Sequence, residues 1–129
     1  MRIMIKEPNK PIYSKEIKGD LENLQEIVGG YIEYVYFDKT IEKGISIIVN
    51  EEGLLMNLNK SIAFPVDHTN SSFSFLVGNV IFVGNKETSE GCENISLTDE
   101  QMRYIEKELF SKNQLIDYRN LTIIPIMEV

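Results

Sequence analysis

Short apolar runs, each ended within a few residues by glycine, asparagine or proline, limit the fold of this chain more than any other feature. Alternating or β-branched runs of this length are typical of strands, and the residues between them are typical of turns. The predicted strands are Ile3–Ile5, Tyr31–Phe37, Ile45–Val49, Leu54–Leu58, Phe73–Val77, Val80–Val83 and Leu121–Met127. The pattern predicts an α+β fold, with a mostly antiparallel sheet of about six or seven strands and two helices packed on it.

Two connections between these strands contain glycine. The segment 50–53, Asn-Glu-Glu-Gly, predicts a turn because Asn and Gly tolerate a positive φ. Residues 54–58 are therefore expected to return as the second strand of a hairpin. Gly78-Asn79 predicts either a tight hairpin between two strands or a bulge within one long strand.

Three further segments have weaker patterns. Residues 59–72 predict a mobile polar loop that contains His68 and a short extended piece. Residues 84–94 predict a second polar loop, which contains Cys92. Pro125 restricts the last strand to a sheet edge or a strand end, because proline has no backbone N–H.

Two helices are predicted from their cap residues. Asp20 is an N-cap for a helix over Leu21–Val28, which ends at Gly29-Gly30. The segment Thr98–Gln101 is a capping box that begins the second helix. The buried stripe of the second helix is predicted to be Met102, Ile105 and Leu109.

Composition excludes several classes of function. The chain has 13 Lys and Arg against 20 Asp and Glu, which gives a net charge of −7. This balance argues against binding the nucleic-acid backbone, because that requires a basic face. One Cys and one His exclude a disulfide framework and paired-His metal motifs, so we expect no metal and no cofactor. No apolar run reaches the roughly 20 residues that a bilayer requires, so we expect a cytoplasmic protein without membrane contact.

The residues that most often perform catalysis are not arranged for it in the sequence. His68 has no Ser or Cys partner nearby, and Cys92 lies beside Glu93, whose carboxylate disfavours a reactive thiolate. Glu51 and Glu52 are adjacent, so on a strand their side chains would point to opposite faces. A hydrolase that uses Glu51 or His68 has no support in this spacing, and we do not expect an enzyme.

Several short motifs occur in an order and spacing that resembles a known family. They are the helix-to-strand segment Leu21–Glu33, the turn Val49–Gly53, the single residue Asn59, the strand Val77–Gly84 and the capping signal Ser96–Glu100. The family consists of small proteins of bacterial phages, plasmids and integrated elements, and it is catalogued as domain of unknown function 3846. The resemblance implies a mobile-element setting and does not imply an activity.

The resemblance also divides the chain. We expect a single domain over residues 1–129, with a family-like core over 1–112 and a C-terminal strand extension over 113–129. The tail strand Leu121–Met127 is then a candidate edge for pairing into a homodimer.

Four polar positions in the family-like segments are harder to explain by folding alone, and two aromatic residues lie beside them. They are predicted to line a polar pocket beside the 50–53 turn or to form a recognition face. The predicted binding residues are Glu33, Asn50, Glu51, Asn59, Tyr31 and Tyr34.

Three functions remain open at this point. The first is a non-enzymatic accessory protein that binds a host protein stoichiometrically and counters a host defence system, since a net charge of −7 suits a basic partner. The second is sequestration of a small nucleotide-like ligand, with amide donors from Asn50 or Asn59 and stacking by Tyr31 or Tyr34. The third is a dimeric structural or assembly module.

Overall fold

The structure is a computed structural model, and it describes residues 1–67 and 71–129. The described residues form ten β-strands and three α-helices, the last of which continues into a π-helical turn. The strands are β1 (Arg2–Lys6), β2 (Tyr13–Glu16), β3 (Ile32–Val35), β4 (Ile45–Asn50), β5 (Lys60–Pro65), β6 (Phe73–Val77), β7 (Val80–Thr88), β8 (Gly91–Ile95), β9 (Phe110–Asp117) and β10 (Thr122–Met127). The helices are α1 (Leu21–Val28), α2 (Asp38–Glu42) and α3 (Asp99–Tyr104), and the π-helical turn is Ile105–Leu109.

The strands form two mostly antiparallel sheets, which confirms the predicted α+β class. The large sheet has six strands in the order β2-β1-β7-β4-β3, with β8 pairing along β7 beyond the end of β1. The small sheet has four strands in the order β6-β5-β10-β9, and β5 and β10 are parallel. The strands are divided between two sheets because the chain leaves the large sheet after β4 and builds the second sheet from β5, β6, β9 and β10.

The large sheet is buried on both faces, and this explains its nearly continuous apolar strands. Along β4, Ile47 faces the small sheet and the π-helical turn, whereas Ile48 faces α1. Along β7, Phe82 and Ile81 divide in the same way. All four side chains are fully buried. Because both faces need apolar residues, strict alternation of apolar and polar residues is absent from these strands.

The chain passes from the small sheet to the large sheet at Gly78, so both predictions for Gly78-Asn79 are wrong. β6 pairs with β5, whereas β7 pairs with β4 and β1, so β6 and β7 form neither a hairpin nor one long strand. Gly78 has a φ of +71° and donates its N–H to the Asn59 carbonyl at 2.8 Å. An added Cβ at Gly78 would lie 2.7 Å from the Leu58 Cδ1, so a side chain there would force the Leu58 side chain to move.

Residues 54–57 form turns and Leu58 has no regular structure, so the prediction of a returning strand is wrong. Met56 donates its N–H to the Glu52 carbonyl at 2.8 Å, and Leu58 donates to the Gly53 carbonyl at 3.1 Å. These local hydrogen bonds satisfy the backbone without a partner strand. A hairpin with β4 is excluded because β3 and β7 already occupy both edges of β4.

Two segments that were predicted as polar loops contain strands. In the first, the extended piece predicted around Ile62–Phe64 is confirmed as part of the longer strand β5, and in the second β7 and β8 form a hairpin that pairs Asn85 with Asn94. The far half of this hairpin extends beyond the apolar core, so its polar side chains gave no hydropathy signal for a strand. The prediction for His68 concerns a residue outside the described ranges.

The C-terminal segment supplies two strands, of which only the last was predicted. β10 lies between β5 and β9, so it is not the edge strand that Pro125 indicated. The register between β10 and β9 shifts between Pro125 and Met127, and this irregularity accommodates a residue that lacks an N–H. Met127 is fully buried in the core between the two sheets, so residues beyond 112 contribute directly to that core.

Both predicted helices are confirmed together with their caps. The Asp20 carboxylate accepts a hydrogen bond from the Asn23 N–H at 2.8 Å, and Gly29 ends α1 with a φ of +80°. Thr98 and Gln101 form the predicted capping box of α3. The short helix α2 lies in a segment that was predicted to be a polar connection. Across the described ranges, no helix has the length and apolar character needed to span a membrane.

Deletion of residues 111–129 is expected to unfold the small sheet, because it removes β10 and all of β9 except Phe110, leaves β5 with β6 as its neighbour, and opens the core at Met127. Amide exchange of β5 should become fast, and the melting temperature should fall compared with the full chain. Deletion of Val129 alone, which is 37% exposed, is the control. Unchanged exchange in β5 after the long deletion would contradict this prediction.

Lys6 gives a prediction about pH, because it is a lysine with only 5% of its surface exposed. Burial lowers the pKa of Lys6 below its ordinary value, and the nearby Glu7 carboxylate partly opposes that shift. The folded chain therefore binds this proton less tightly than the unfolded chain. The resulting destabilisation is complete below the lowered pKa and disappears as the pH rises through the ordinary lysine pKa.

Lys6→Met is therefore expected to stabilise the protein at neutral pH, by an amount reduced by the loss of the 2.6 Å hydrogen bond from the Lys6 Nζ to the Glu7 carbonyl. The gain should shrink as the pH rises to the ordinary lysine pKa and above it, because the wild-type side chain then becomes a neutral amine in both the folded and the unfolded state. Urea unfolding of both proteins between neutral and alkaline pH measures this difference. A gain that is constant with pH would mean that the charge of Lys6 is not the cause.

Candidate functional site

Three of the predicted binding residues lie together at one end of β3 and β4. Glu51 donates its backbone N–H to the Tyr31 carbonyl at 2.8 Å, which joins the residues that flank the two strands. Glu33 follows Tyr31 by two residues, so both side chains lie on the same face of the sheet. The side chains of Tyr31, Glu33 and Glu51 are all exposed.

The other predicted residues lie elsewhere. Tyr34 is on the opposite face of β3, where it packs partly against the apolar cluster under α1. Asn59 is exposed immediately before β5, and its carbonyl accepts the Gly78 N–H. The six predicted residues therefore do not form one pocket.

Asn50 has a structural role that its sequence position did not reveal. Its side chain is buried, with 4% of the residue exposed. The Asn50 Nδ2 donates to the Val28 carbonyl at the end of α1 at 3.0 Å, and the Oδ1 accepts from the Glu52 N–H at 2.8 Å. Asn50 therefore joins the end of a helix to the turn that follows β4, and both polar ends of its amide are used.

The segment 51–58, which we call the docking loop, is anchored by contacts at both ends. Asn50 fixes its beginning through the Glu52 N–H. Gly53 is buried, and an added Cβ there would lie 2.8 Å from the Val77 Cγ2, so the loop lies directly on β6. Leu58 contacts Gly78 at the other end. A loop that is anchored in this way presents its remaining side chains in a defined arrangement.

The tip of the docking loop exposes apolar side chains that the fold does not use. Leu54 is 79% exposed and Leu55 is 87% exposed. Met56, which follows them on the way to the Leu58 contact, is 50% exposed. Tyr31 is 67% exposed, and its carbonyl accepts a hydrogen bond from the Glu51 N–H at the beginning of the loop. Consecutive exposed leucines on a rigid loop are unusual for a surface without a partner, where large apolar residues normally occur singly.

The surroundings of the docking loop are acidic. Glu51 and Glu52 begin the loop, and Glu33 is exposed on the adjoining strand. In the part of the chain that the structure describes, none of these three carboxylates forms an ion pair within the protein. The surface therefore combines an apolar tip with unpaired negative charge.

A second surface lies on the same face of the large sheet as α1, in the part of that face that α1 does not cover. The Tyr34 hydroxyl accepts a hydrogen bond from the Asn94 Nδ2 at 2.8 Å, and the Tyr36 ring lies nearly parallel to the Tyr34 ring with centroids 6.4 Å apart. Tyr36 also lines a cleft of about 370 Å³ whose floor contains Ser46 and Asn85, joined by a 2.8 Å hydrogen bond. Tyr36 is 62% exposed, so it is the more accessible ring of the pair.

Sequence reasoning missed Leu54, Leu55 and Tyr36 as candidate binding residues. The two leucines were assigned to a strand because apolar runs are usually buried. Their signal in the sequence was the lack of alternation in Leu54-Leu55-Met56 directly after a turn. Tyr36 shares its face of the sheet with Tyr34, but the sequence did not indicate which of the two rings the core would cover.

Cys92 lies in the hairpin formed by β7 and β8. Cys92 is exposed with no disulfide partner, and it faces Glu87 across the β7–β8 hairpin. Among the described residues, no three His, Cys, Asp or Glu side chains are grouped closely enough to hold a metal ion.

Asn50→Ala is expected to destabilise the protein by about 2 kcal/mol, because the Val28 carbonyl and the Glu52 N–H lose their buried partner. Asn59→Ala is the matched control, since Asn59 is exposed and should change stability by less than about 0.5 kcal/mol. Urea unfolding measures both values. Equal losses in the two variants would contradict the structural role of the Asn50 amide.

Comparison with known proteins places the chain by sequence. The model of the family described as domain of unknown function (DUF3846) matches residues 1–110, which extend from β1 to the start of β9. Comparisons with curated proteins and with solved structures give no significant match. The predicted resemblance is thereby confirmed over most of the chain, and the protein belongs to the DUF3846 family.

Proposed function

We propose that this protein is a non-enzymatic accessory protein of a phage or another mobile element. It acts by binding a host protein stoichiometrically in the bacterial cytoplasm, and the binding counters a host defence system. The observation that carries the proposal is the anchored docking loop, which exposes Leu54 and Leu55 beside carboxylates that form no ion pair among the described residues.

The conformation of the docking loop favours protein binding. Large apolar side chains that fill a pocket on a partner contribute most of the binding energy in many interfaces. A loop that is already held in its conformation loses little entropy on binding, which favours affinity. The anchors at Asn50, Gly53 and Leu58 supply this rigidity.

Charge indicates the chemistry of the partner. The net charge of the protein is −7, and the carboxylates of Glu33, Glu51 and Glu52 surround the apolar tip. The complementary surface is an apolar pocket with Lys or Arg at its rim. Host defence proteins that hold nucleic acid have basic channels, and an acidic protein competes for such channels by electrostatic complementarity.

The alternative is a protein that sequesters a small nucleotide-like ligand. The cleft beside Tyr36 favours this function, because it offers an exposed ring next to the polar Ser46 and Asn85. The donors first considered for it, Asn50 and Asn59, do not reach this cleft from their positions at the docking loop. A dimeric assembly module is a further candidate, with β9 as its edge, since both edges of β10 are paired.

The double variant Leu54→Asp and Leu55→Asp is expected to lose function without losing stability, because both side chains are exposed. Wild-type protein produced in bacterial strains that each carry one defence system should restore phage plating in at least one strain. It should also retain one defence protein at a fixed ratio. The double variant should weaken retention at least about tenfold.

Leu121→Asp is the matched control, because Leu121 is 83% exposed in the β9–β10 turn of the other sheet. It should behave as the wild type. Rescue of plating by the double variant would contradict the role of the docking loop. A melting shift with nucleotides that Tyr36→Ala abolishes, without any retained protein, would favour the sequestering function instead.

A further inference from the structure

We propose that the free edge of β3 binds an extended basic segment of the partner protein, which adds a strand to the large sheet. The inference rests on the proposed function, because it specifies which part of the host protein binds to the acidic end of this molecule. β3 is the last strand of the large sheet on its side, so within residues 1–67 and 71–129 no strand pairs with its outer edge.

The backbone of β3 has two positions that β4 does not use. In an antiparallel pair, residues that bond to the neighbouring strand alternate with residues whose N–H and C=O point away from it. The hydrogen bond from Glu51 to Tyr31 sets this alternation, and it makes Tyr31, Glu33 and Val35 the bonded positions. The N–H and C=O groups of Ile32 and Tyr34 therefore point out from the sheet edge.

The edge of β3 contains neither lysine nor proline. Lysine or proline on an edge strand is a common block. The opposite edge of the large sheet, β2, contains Lys15, and the β9 edge of the small sheet contains Lys112. β3 has the sequence Ile-Glu-Tyr-Val, whose only charged residue is the acidic Glu33.

Charge at this edge selects a basic strand. Glu33 is exposed and forms no ion pair with the rest of the described protein. Two further exposed acidic residues lie at the ends of β3. Glu51 is hydrogen-bonded to Tyr31 just before the strand, and Asp38 follows the strand in sequence. A residue directly opposite Glu33 on an added strand would have its Cβ about 4.5–5.5 Å away, where Lys or Arg is favoured. On the other face, the added strand would contact Ile32 and Tyr34, which favours apolar residues at alternate positions.

The same geometry argues against a second copy of this chain as the occupant. Two β3 edges related by a twofold axis would use all their outward groups if Ile32 of each copy paired with Tyr34 of the other. This register places Glu33 directly opposite Glu33, and like charges directly opposite one another destabilise a strand pair. The edge therefore favours a basic partner over its own copy.

The test uses the full chain and a short peptide of alternating Lys and Val as the probe. The peptide is expected to bind and to slow amide exchange at Ile32 and Tyr34, because these N–H groups would become bonded. A peptide of alternating Glu and Val should bind at least about tenfold more weakly. A peptide with the same Lys and Val residues in two blocks should also bind more weakly, since it cannot place charge on one face and apolar residues on the other.

Variants separate strand addition from general attraction to an acidic surface. Glu33→Lys should weaken binding of the Lys-Val peptide at least about tenfold and improve binding of the Glu-Val peptide. Glu90→Lys changes the net charge by the same amount in the exposed β7–β8 turn and should leave binding close to wild type. Ile32→Pro is a second variant, because it removes an outward N–H that the β3–β4 pair does not use. It should also weaken peptide binding.

Several results would overturn the inference. They are no peptide binding up to about 1 mM, equal losses in Glu33→Lys and Glu90→Lys, and binding without protection of Ile32 and Tyr34. Self-association that protects these two amides without peptide would also overturn it, since a second copy would then occupy the edge.

The inference and the proposed function fail in different ways. If a retained host protein is lost with the docking-loop variant but not with Glu33→Lys or Ile32→Pro, the proposed function stands and the β3 inference is overturned. If no host protein is retained while the Lys-Val peptide protects Ile32 and Tyr34, strand addition is supported and the host-protein function is not.

Discussion

Burial of the central strands on both faces is the constraint on which this structure depends. Ile47 and Phe82 require cover on one side of the large sheet, and Ile48 and Ile81 require it on the other. The first side is covered by the small sheet and the π-helical turn, and the second by α1. Because both faces are occupied over much of their area, the parts of the large sheet that remain for binding are an edge, an open corner and the loops at its ends.

Local signals predicted the helices well, because a helix cap depends on residues within one turn. Asp20 and the Thr98–Gln101 capping box both have the predicted geometry. Strand pairing depends on distant partners, and there the sequence was less informative. Gly78 was correctly identified as a special backbone position, yet no local pattern indicates that the strands on either side of it belong to different sheets.

The candidate site shows the same division between local and distant information. Asn50 and Glu51 were singled out together, but the carbonyl that binds the Asn50 amide comes from α1, 22 residues earlier in the chain. Leu54 and Leu55 were predicted as strand residues because apolar character alone does not distinguish a buried residue from a residue that binds a partner. What distinguishes them is that β3 and β7 leave β4 no free edge for a hairpin.

The position of β10 has a consequence for how the chain acquires its structure during synthesis. β10 lies in the middle of the small sheet, parallel to β5, and pairs Ile126 with Ala63. A nascent chain can assemble β1 to β4 and β7 with α1 early, but β5 lacks a neighbour on one side until β10 has been synthesised. Completion of the small sheet therefore waits for a strand that is distant in the sequence, and such long-range pairing is intrinsically slow. During that interval, the exposed edge of β5 is open to mispairing with other chains.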